Sequence, residues 1–174
     1  MNIPEKDIVK NIHLLAFGEE EGEETAELAE AFLLLSETIS INAMRDGKIV
    51  GNVLFTPFSF KDHPGKKCYL LAPIGVLPEY QRGHGVGKEL MQTSIEQLKS
   101  IGTDAIFVLG VPAYYPQYGF VPTDKQTPYP DLLTLPEAWM VLELNAGVVS
   151  NLSGETIAIE PFMQPSWWDT SGRG

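Results

Sequence analysis

One cysteine, Cys68, is the only thiol in this chain of 174 residues. No internal disulfide can form, so the fold must be held by its core, and this usage agrees with a reducing compartment. Cys68 reads as a small buried hydrophobe at a strand start, since a reactive thiol wants a base beside it. Basic residues are scarce: 12 Lys and Arg stand against 23 Asp and Glu, a formal net charge of −11. That argues against unaided nucleic-acid binding, which wants a basic footprint. It suits a cationic substrate, such as an amine, drawn in by the overall field. No apolar run approaches the roughly 20 residues of a membrane helix. No basic-then-apolar leader opens the chain, and the expectation is a cytoplasmic protein. The apolar fraction of 44% is that of a globular protein. The length points to one domain over 1–174, with 165–174 a short tail.

Glycine is not scarce between Ala72 and Lys88, which reads A-P-I-G-V-L-P-E-Y-Q-R-G-H-G-V-G-K. A buried strand turns at Pro78, crosses a loop with Gly83, Gly85 and Gly87, and enters a helix. Such a turn points backbone N–H groups outward, and the helix adds roughly half a positive charge at its N-terminus. The arrangement is an anion site, and glycine lets backbone approach a phosphate. A Walker A loop fails: Gly83 and Gly87 are too close, and Glu89 follows Lys88 where a hydroxyl is needed. The dinucleotide fingerprint G-x-G-x-x-G fails because its third glycine arrives one residue early. Arg82, His84 and Lys88 gather cations at the loop, and distant carboxylates are screened beyond about 8–10 Å.

What stands is Arg82-x-x-Gly85-x-Gly87, inside V-L-P-E-Y-Q-R-G-H-G-V-G. This resembles the pyrophosphate-binding signature of the GNAT superfamily, the acetyl-CoA-dependent N-acetyltransferases. A purely structural glycine turn is the competing reading. The resemblance implies an α/β (α+β) fold. Its mixed, mostly antiparallel central sheet has about six to seven strands, splayed between strands four and five, with helices on both faces. It implies acetyl-CoA as cosubstrate. Arg82 and the amides of Gly83, His84, Gly85, Val86, Gly87 and Lys88 would bind the pyrophosphate. Backbone of Ile74, Gly75 and Val76 would hold the pantetheine arm, and Gly110 and Ala113 complete the cofactor-binding set. No metal is called for.

Periodicity fills in the rest. Pro4, then Ile8, Val9, Ile12 and Leu15, suit an amphipathic helix ending near Phe17. Only Met1 to Ile3 precede it, so the family's first strand is absent or vestigial. Glu19 to Glu24 read as a solvated loop and helix start, with capture of a cationic amine as the alternative. Thr25 to Glu37 follow as a helix with Leu28, Phe32 and Leu35 on one face. Ile39 to Arg45 and Ile49 to Phe60 form a hairpin through Asp46-Gly47. Pro57 suggests a bulge or an edge. His63 is read as a turn residue rather than a base.

Cys68 to Leu77 is nearly all apolar, as a strand covered on both faces should be. It takes the fourth-strand place, and Pro73, which cannot donate to a ladder, marks the splay. Val86 to Ile101 form a helix with Leu90, Met91, Ile95, Leu98 and Ile101 inward, stopped by Gly102. Asp104 to Gly110 return as a parallel strand, completing one βαβ unit.

Val111 to Phe120 resemble the family segment that ends in Tyr-x-x-x-Gly-Phe, with Tyr115 four residues before Gly119. Val111 replaces an acid common in the related subgroup. Tyr114 and Tyr118 read as packing residues and Tyr115 as the catalytic acid. A phenol near pKa 10 protonating a thiolate near 8.5 is uphill by about 2 kcal/mol. From Val121 to Pro136 the chain reads as a loop and a candidate lid. Trp139 to Leu144 and Thr156 to Glu160 are closing strands. Trp167 and Trp168 dock the tail, with a homodimer contact as the alternative.

The implied reaction is acetyl transfer from acetyl-CoA to a primary amine of a small molecule or peptide, by direct attack in a ternary complex. No base is visible: no Asp or Glu lies between Cys68 and Leu77, Glu79 is on the pyrophosphate side, and Glu37 would need a water. The competing classes are a non-catalytic acyl-CoA-binding or interaction module on the same fold, and a nucleotide-binding protein.

Overall fold

The computed structural model describes residues 3–171. Met1 and Asn2, on which the question of a first strand falls, lie outside them. The elements run α1 (Glu5–Ala16), α2 (Gly18–Leu33), β1 (Ile39–Arg45), β2 (Lys48–Phe60), β3 (Cys68–Val76), α3 (Val86–Ser100), β4 (Ala105–Leu109), β5 (Val121–Pro122), β6 (Trp139–Glu143) and β7 (Thr156–Ala158). The sheet has seven strands in the order β1-β2-β3-β4-β6-β5, and β7 pairs with β2. The fourth and fifth strands of the family order are β3 and β4 here. They pair parallel, whereas β1–β2, β2–β7, β4–β6 and β5–β6 pair antiparallel. Two compact units emerge, Met1–Phe55 with Ala72–Gln97, and Thr56–Leu71 with Leu98–Gly174.

In the first unit, α1 buries Val9, Ile12 and His13. Leu15, expected inward, is 46% exposed, and His13 takes the inward position. The second helix begins earlier than its sequence suggests. The acidic run lies inside α2, because Gly22 sits on α1: a Cβ there would collide with the Leu14 carbonyl oxygen. Only glycine lets the two helix backbones come that close. Glu21, Glu23 and Glu24 are exposed, and carboxylates are favourable in the first turns of a helix. The helix also stops at Leu33 rather than Glu37. Leu28 and Phe32 are buried, and Leu35 falls in the turn beyond.

β1 and β2 form the expected hairpin, with Asp46 at φ 51° and Gly47 at φ 76°. Both central residues at positive φ define the turn that matches strand twist. A bulge falls between Ala43 and Met44 of β1. On β2, β1 is the partner up to Phe55 and β7 from Phe58, so Pro57, with no N–H, falls between the two ladders. Successive β2 residues face opposite sides of the sheet. A Cβ on Gly51 would meet Val86 and Leu90 of α3, whereas the Asn52 side chain meets His13 of α1. Helices therefore cover both faces.

In the second unit, β3 and β4 pair only at Cys68↔Ala105, Tyr69↔Ile106 and Leu70↔Phe107. The ladder ends there, and Pro73 lies beyond it, as a strand pair that parts requires. The connecting helix ends in a double clasp: Gly102 N–H donates to the Lys99 carbonyl and Thr103 N–H to the Leu98 carbonyl. This is a Schellman stop, with Gly102 at φ 83°. Ile101, expected inward, sits at that stop and is 42% exposed, while Ser94 is buried and satisfies its hydroxyl on the Leu90 carbonyl. The stretch after Phe120 is not wholly a loop: β5 pairs with β6 at Val121↔Val141 and Pro122↔Met140.

Phe58, Phe107, Trp139 and Trp168 make the aromatic core of this unit, with ring centroids 5.1–6.4 Å apart. Trp168 is fully buried and its indole N–H donates to the Phe162 carbonyl, so the tail docks. Thr170 then clips the loop, its Oγ1 accepting from the Thr134 and Leu135 amides.

Candidate functional site

The glycine loop lies in the first unit. β3 leaves the sheet through Leu77, whose N–H donates to the Val50 carbonyl at 2.9 Å. A short turn over Pro78–Tyr80 follows, and Gln81 folds back so that its Nε2 donates to the Val76 carbonyl at 2.9 Å. Gly85 has φ 66°, and nothing lies within 4 Å of the place its Cβ would occupy. The backbone there is both left-handed and open to a ligand. Glu89 N–H donates to the Gly85 carbonyl at 3.0 Å, which makes Gly85 the residue capping α3. Helix geometry then leaves the amides of Val86, Gly87 and Lys88 with no intrahelical acceptor.

Arg82, Gly83, His84 and Lys88 are exposed around those amides. No ion pair among the described residues engages Arg82 or Lys88, so both cations are free for an anion. The Tyr80 ring stands edge-on to His84 at 5.2 Å, with Lys48 Nζ 5.6 Å above it. Arg45, which sequence reasoning passes over, donates to the His84 carbonyl at 2.9 Å and to Glu89 Oε1 at 2.9 Å.

Behind Gly75 lies a second feature missed at the sequence level. His13 is fully buried, and its Nε2 lies 2.8 Å from Asn52 Oδ1. The Asn52 amide nitrogen faces Ser40 Oγ, the Ile41 carbonyl and Asn42 Oδ1, all acceptors. That environment assigns Oδ1 to the histidine side, so Nε2 carries the proton and Nδ1 is a bare lone pair. Nδ1 has no hydrogen-bond partner, and a Cβ on Gly75 would meet it at 2.7 Å. Burial pulls the His13 pKa down to about 4, against a smaller upward pull from Asn52. The sequence offers one signal for this residue, a histidine on the apolar stripe one turn after Val9.

Gly110, Ala113 and Tyr115 belong to the second unit. Gly110 N–H donates to the Ala138 carbonyl, and a Cβ there would strike Tyr115 Cε2 at 2.5 Å. The absent side chain is what leaves room for the Tyr115 ring beside Gly110, just past β4. Phe120 closes the ring's edge at 5.6 Å and Tyr114 at 5.0 Å. Burial pushes the Tyr115 phenol above its usual range, so the hydroxyl keeps its proton at any working pH. Tyr114 is also raised, first by burial and then by its bond to Tyr118, and both of those rings are half-buried packing elements. Ala113 and Val111 are exposed.

Other candidates fall away. Cys68 is buried and its thiol is pushed up to about 12, chiefly by burial, which makes it inert at neutral pH. His63 sits in a turn, with its N–H on the Phe60 carbonyl. Among the described residues no cluster of three or more His, Cys, Asp or Glu is arranged for a metal ion. No helix among them is long and apolar enough to cross a membrane.

The family model of the acetyltransferase (GNAT) family matches residues 7–120. The uncharacterized N-acetyltransferase YjhQ of Escherichia coli strain K12 is 39% identical over 128 residues, 71% of this chain and 70% of that protein. YhbS, an uncharacterized N-acetyltransferase of the same strain, is 31% identical over 75 residues, 43% of this chain and 44% of that protein. In three dimensions, a GNAT family acetyltransferase from Brucella melitensis, solved with acetyl-CoA, superposes with a TM-score of 0.71 at 22% identity. That match covers 92% of this chain and 94% of the other. YhbS from E. coli, solved with CoA, gives 0.70 at 23% identity, over 94% and 89%. The chain belongs to the GNAT acetyltransferase family, and membership carries the reaction class, an acyltransferase with acetyl-CoA as donor.

Proposed function

We propose that the protein transfers an acetyl group from acetyl-CoA to a primary amine of a small molecule or peptide, by direct attack in a ternary complex. The observation that carries this is the α3 entrance. A Gly85 cap, free amides on Val86, Gly87 and Lys88, and unpaired Arg82 and Lys88 stand together after a strand whose ladder has ended. Those groups fit the diphosphate of acetyl-CoA, which the Brucella relative carries in its structure. We assign the pantetheine arm to the backbone of Ile74, Gly75 and Val76, with Gly110 and Ala113 completing the contact set.

Direct attack is supported by the state of the one thiol, Cys68, which is buried and protonated. The neutral amine nitrogen forms a bond to the thioester carbonyl carbon. A β3 amide near Gly75 or Val76 donates to the oxygen as it gains charge, and one such donor is worth roughly 3–4 kcal/mol. The C–S bond then breaks, and Tyr115 gives its hydroxyl proton to the leaving sulfur. The ammonium proton passes to solvent, from which Tyr115 is recharged. We assign no base from this chain, which favours an acceptor that is partly neutral at working pH. The acidic charge suits that cationic class of acceptor, and together with the single cysteine it supports action in the cytoplasm.

The test is thiol release from acetyl-CoA over a panel of amines and amino-terminal peptides. Acceptor-dependent release supports the proposal. Tight acetyl-CoA binding with no release on any acceptor indicates the non-catalytic module, and thermal protection by ATP but not acetyl-CoA overturns the cofactor assignment.

A further inference from the structure

We propose that Arg45 is a positioning residue for the diphosphate loop: its guanidinium turns the His84–Gly85 peptide so that the Gly85 N–H faces the bound anion. The inference rests on the reading of this loop as the acetyl-CoA site. Arg45 ends β1, just past the bulge at Ala43 and Met44, and a bulge re-aims the side chains that follow it. Three of its five N–H donors are engaged here. Nη1 donates to the Met44 carbonyl at 2.7 Å and to Glu89 Oε1 at 2.9 Å, and Nη2 donates to the His84 carbonyl at 2.9 Å.

A trans peptide is planar, with C=O and N–H on opposite sides. Drawing the His84 oxygen toward Arg45 therefore sends the Gly85 N–H away from the hairpin. Gly85, at φ 66° with open space around it, has no side chain to resist a different peptide orientation. The loop's central donor is thus held from outside, across 39 residues of sequence. Glu89 adds a charge effect at the same place. Its carboxylate lies in the first turn of α3, where a bound diphosphate would repel it, and Arg45 cancels that charge.

The ion pair is partly exposed, with 28% of the Arg45 side chain and 44% of Glu89 accessible. Such pairs add little to stability. The effect of losing Arg45 therefore falls on anion binding rather than on folding. Arginine's planar fork presents spaced donors in a fixed geometry to the His84 carbonyl and the Glu89 carboxylate, whereas lysine offers a single compact charge.

The experiment measures acetyl-CoA affinity by calorimetry, steady-state kinetics and melting temperature for wild type, Arg45→Met, Arg45→Lys and Arg45→Met/Glu89→Gln. The expected result for Arg45→Met is acetyl-CoA affinity weakened about tenfold or more, with KM rising in parallel. Saturating kcat and the melting temperature stay close to wild type. Arg45→Lys recovers part of the affinity, and Glu89→Gln in the Met background recovers the part due to charge. Arg45→Met binding as tightly as wild type overturns the proposal and leaves the site reading standing. A fall in melting temperature and kcat together, with no selective change in KM, reduces Arg45 to a structural role and also overturns it. A wild type that does not bind acetyl-CoA removes the site reading and this inference with it.

Discussion

His13 Nε2 donates to Asn52 Oδ1 across 2.8 Å, in a place with no solvent access. The ring is held neutral, with its pKa pulled down to about 4 by burial and with no charged group contributing. Unfolded, the same ring titrates at its ordinary 6.5. Between those values the unfolded chain binds a proton that the folded chain refuses, so stability falls as pH drops through that window. The full effect is of order 3 kcal/mol, present above pH 6.5 and lost toward pH 4. Urea unfolding of wild type and His13→Leu at several pH values between 7 and 4 measures it. The leucine variant should start lower, having left Asn52 Oδ1 without its donor, and should lose less on acidification. Parallel curves for the two proteins would show that His13 does not titrate this way.

Gly75 lies against the same histidine. A Cβ there would meet His13 Nδ1 at 2.7 Å and Ala16 Cβ at 3.2 Å. Asn52 pins the ring, so it has little room to retreat. Gly75→Ala should cost about 1–3 kcal/mol, the usual range for overpacking. Because the clash is with one ring, adding His13→Ala should make the second substitution much cheaper than additivity allows. Denaturant melts of the two single variants and the double variant decide it, and strict additivity would place the strain elsewhere.

Local chemistry explains which features the sequence discloses. Asp46-Gly47 specifies its turn with two residues, Gly102 stops its helix from one position, and the loop from Arg82 to Lys88 is contiguous. The features missed are long-range. His13 and Asn52 are 39 residues apart, and Arg45 and Glu89 are 44 apart. Nothing at either end of such a pair marks the other. Gly22 looks like a break in an acidic run because the Leu14 carbonyl that requires a glycine belongs to the preceding helix. Ile101 and Leu15 carry the right periodicity but sit at helix ends, where the capping path rather than the stripe decides burial.

Gly85 allows folding and binding to be separated. Nothing lies within 4 Å of its Cβ position, so the first atom of a side chain there meets no neighbour. The remaining cost is the positive φ, about 1–2 kcal/mol for a non-glycine residue. Gly85→Val should therefore stay folded, with a modest drop in melting temperature, while filling the space a phosphate would use. Calorimetry with acetyl-CoA should show no binding at concentrations that saturate wild type. Retained affinity in a folded variant would move the diphosphate off this loop.

Tyr115 and Gly110 test the chemical step from two directions. Tyr115→Phe removes one hydroxyl and keeps the ring that packs on Gly110 and Phe120. Melting temperature and acetyl-CoA affinity should hardly change, while kcat falls by about 10²-fold or more if that proton is delivered in the rate-limiting step. Gly110→Ala leaves the hydroxyl but places a Cβ 2.5 Å from Tyr115 Cε2, so the ring must move. A displaced acid is a poor one, because proton transfer needs the donor within hydrogen-bond reach of the leaving atom. Gly110→Ala should therefore also lower kcat, and adding Tyr115→Phe to it should cost little more. Should Tyr115→Phe turn over at the wild-type rate while Gly110→Ala does not, the β4 end matters for shape alone, and the leaving thiolate takes its proton from water.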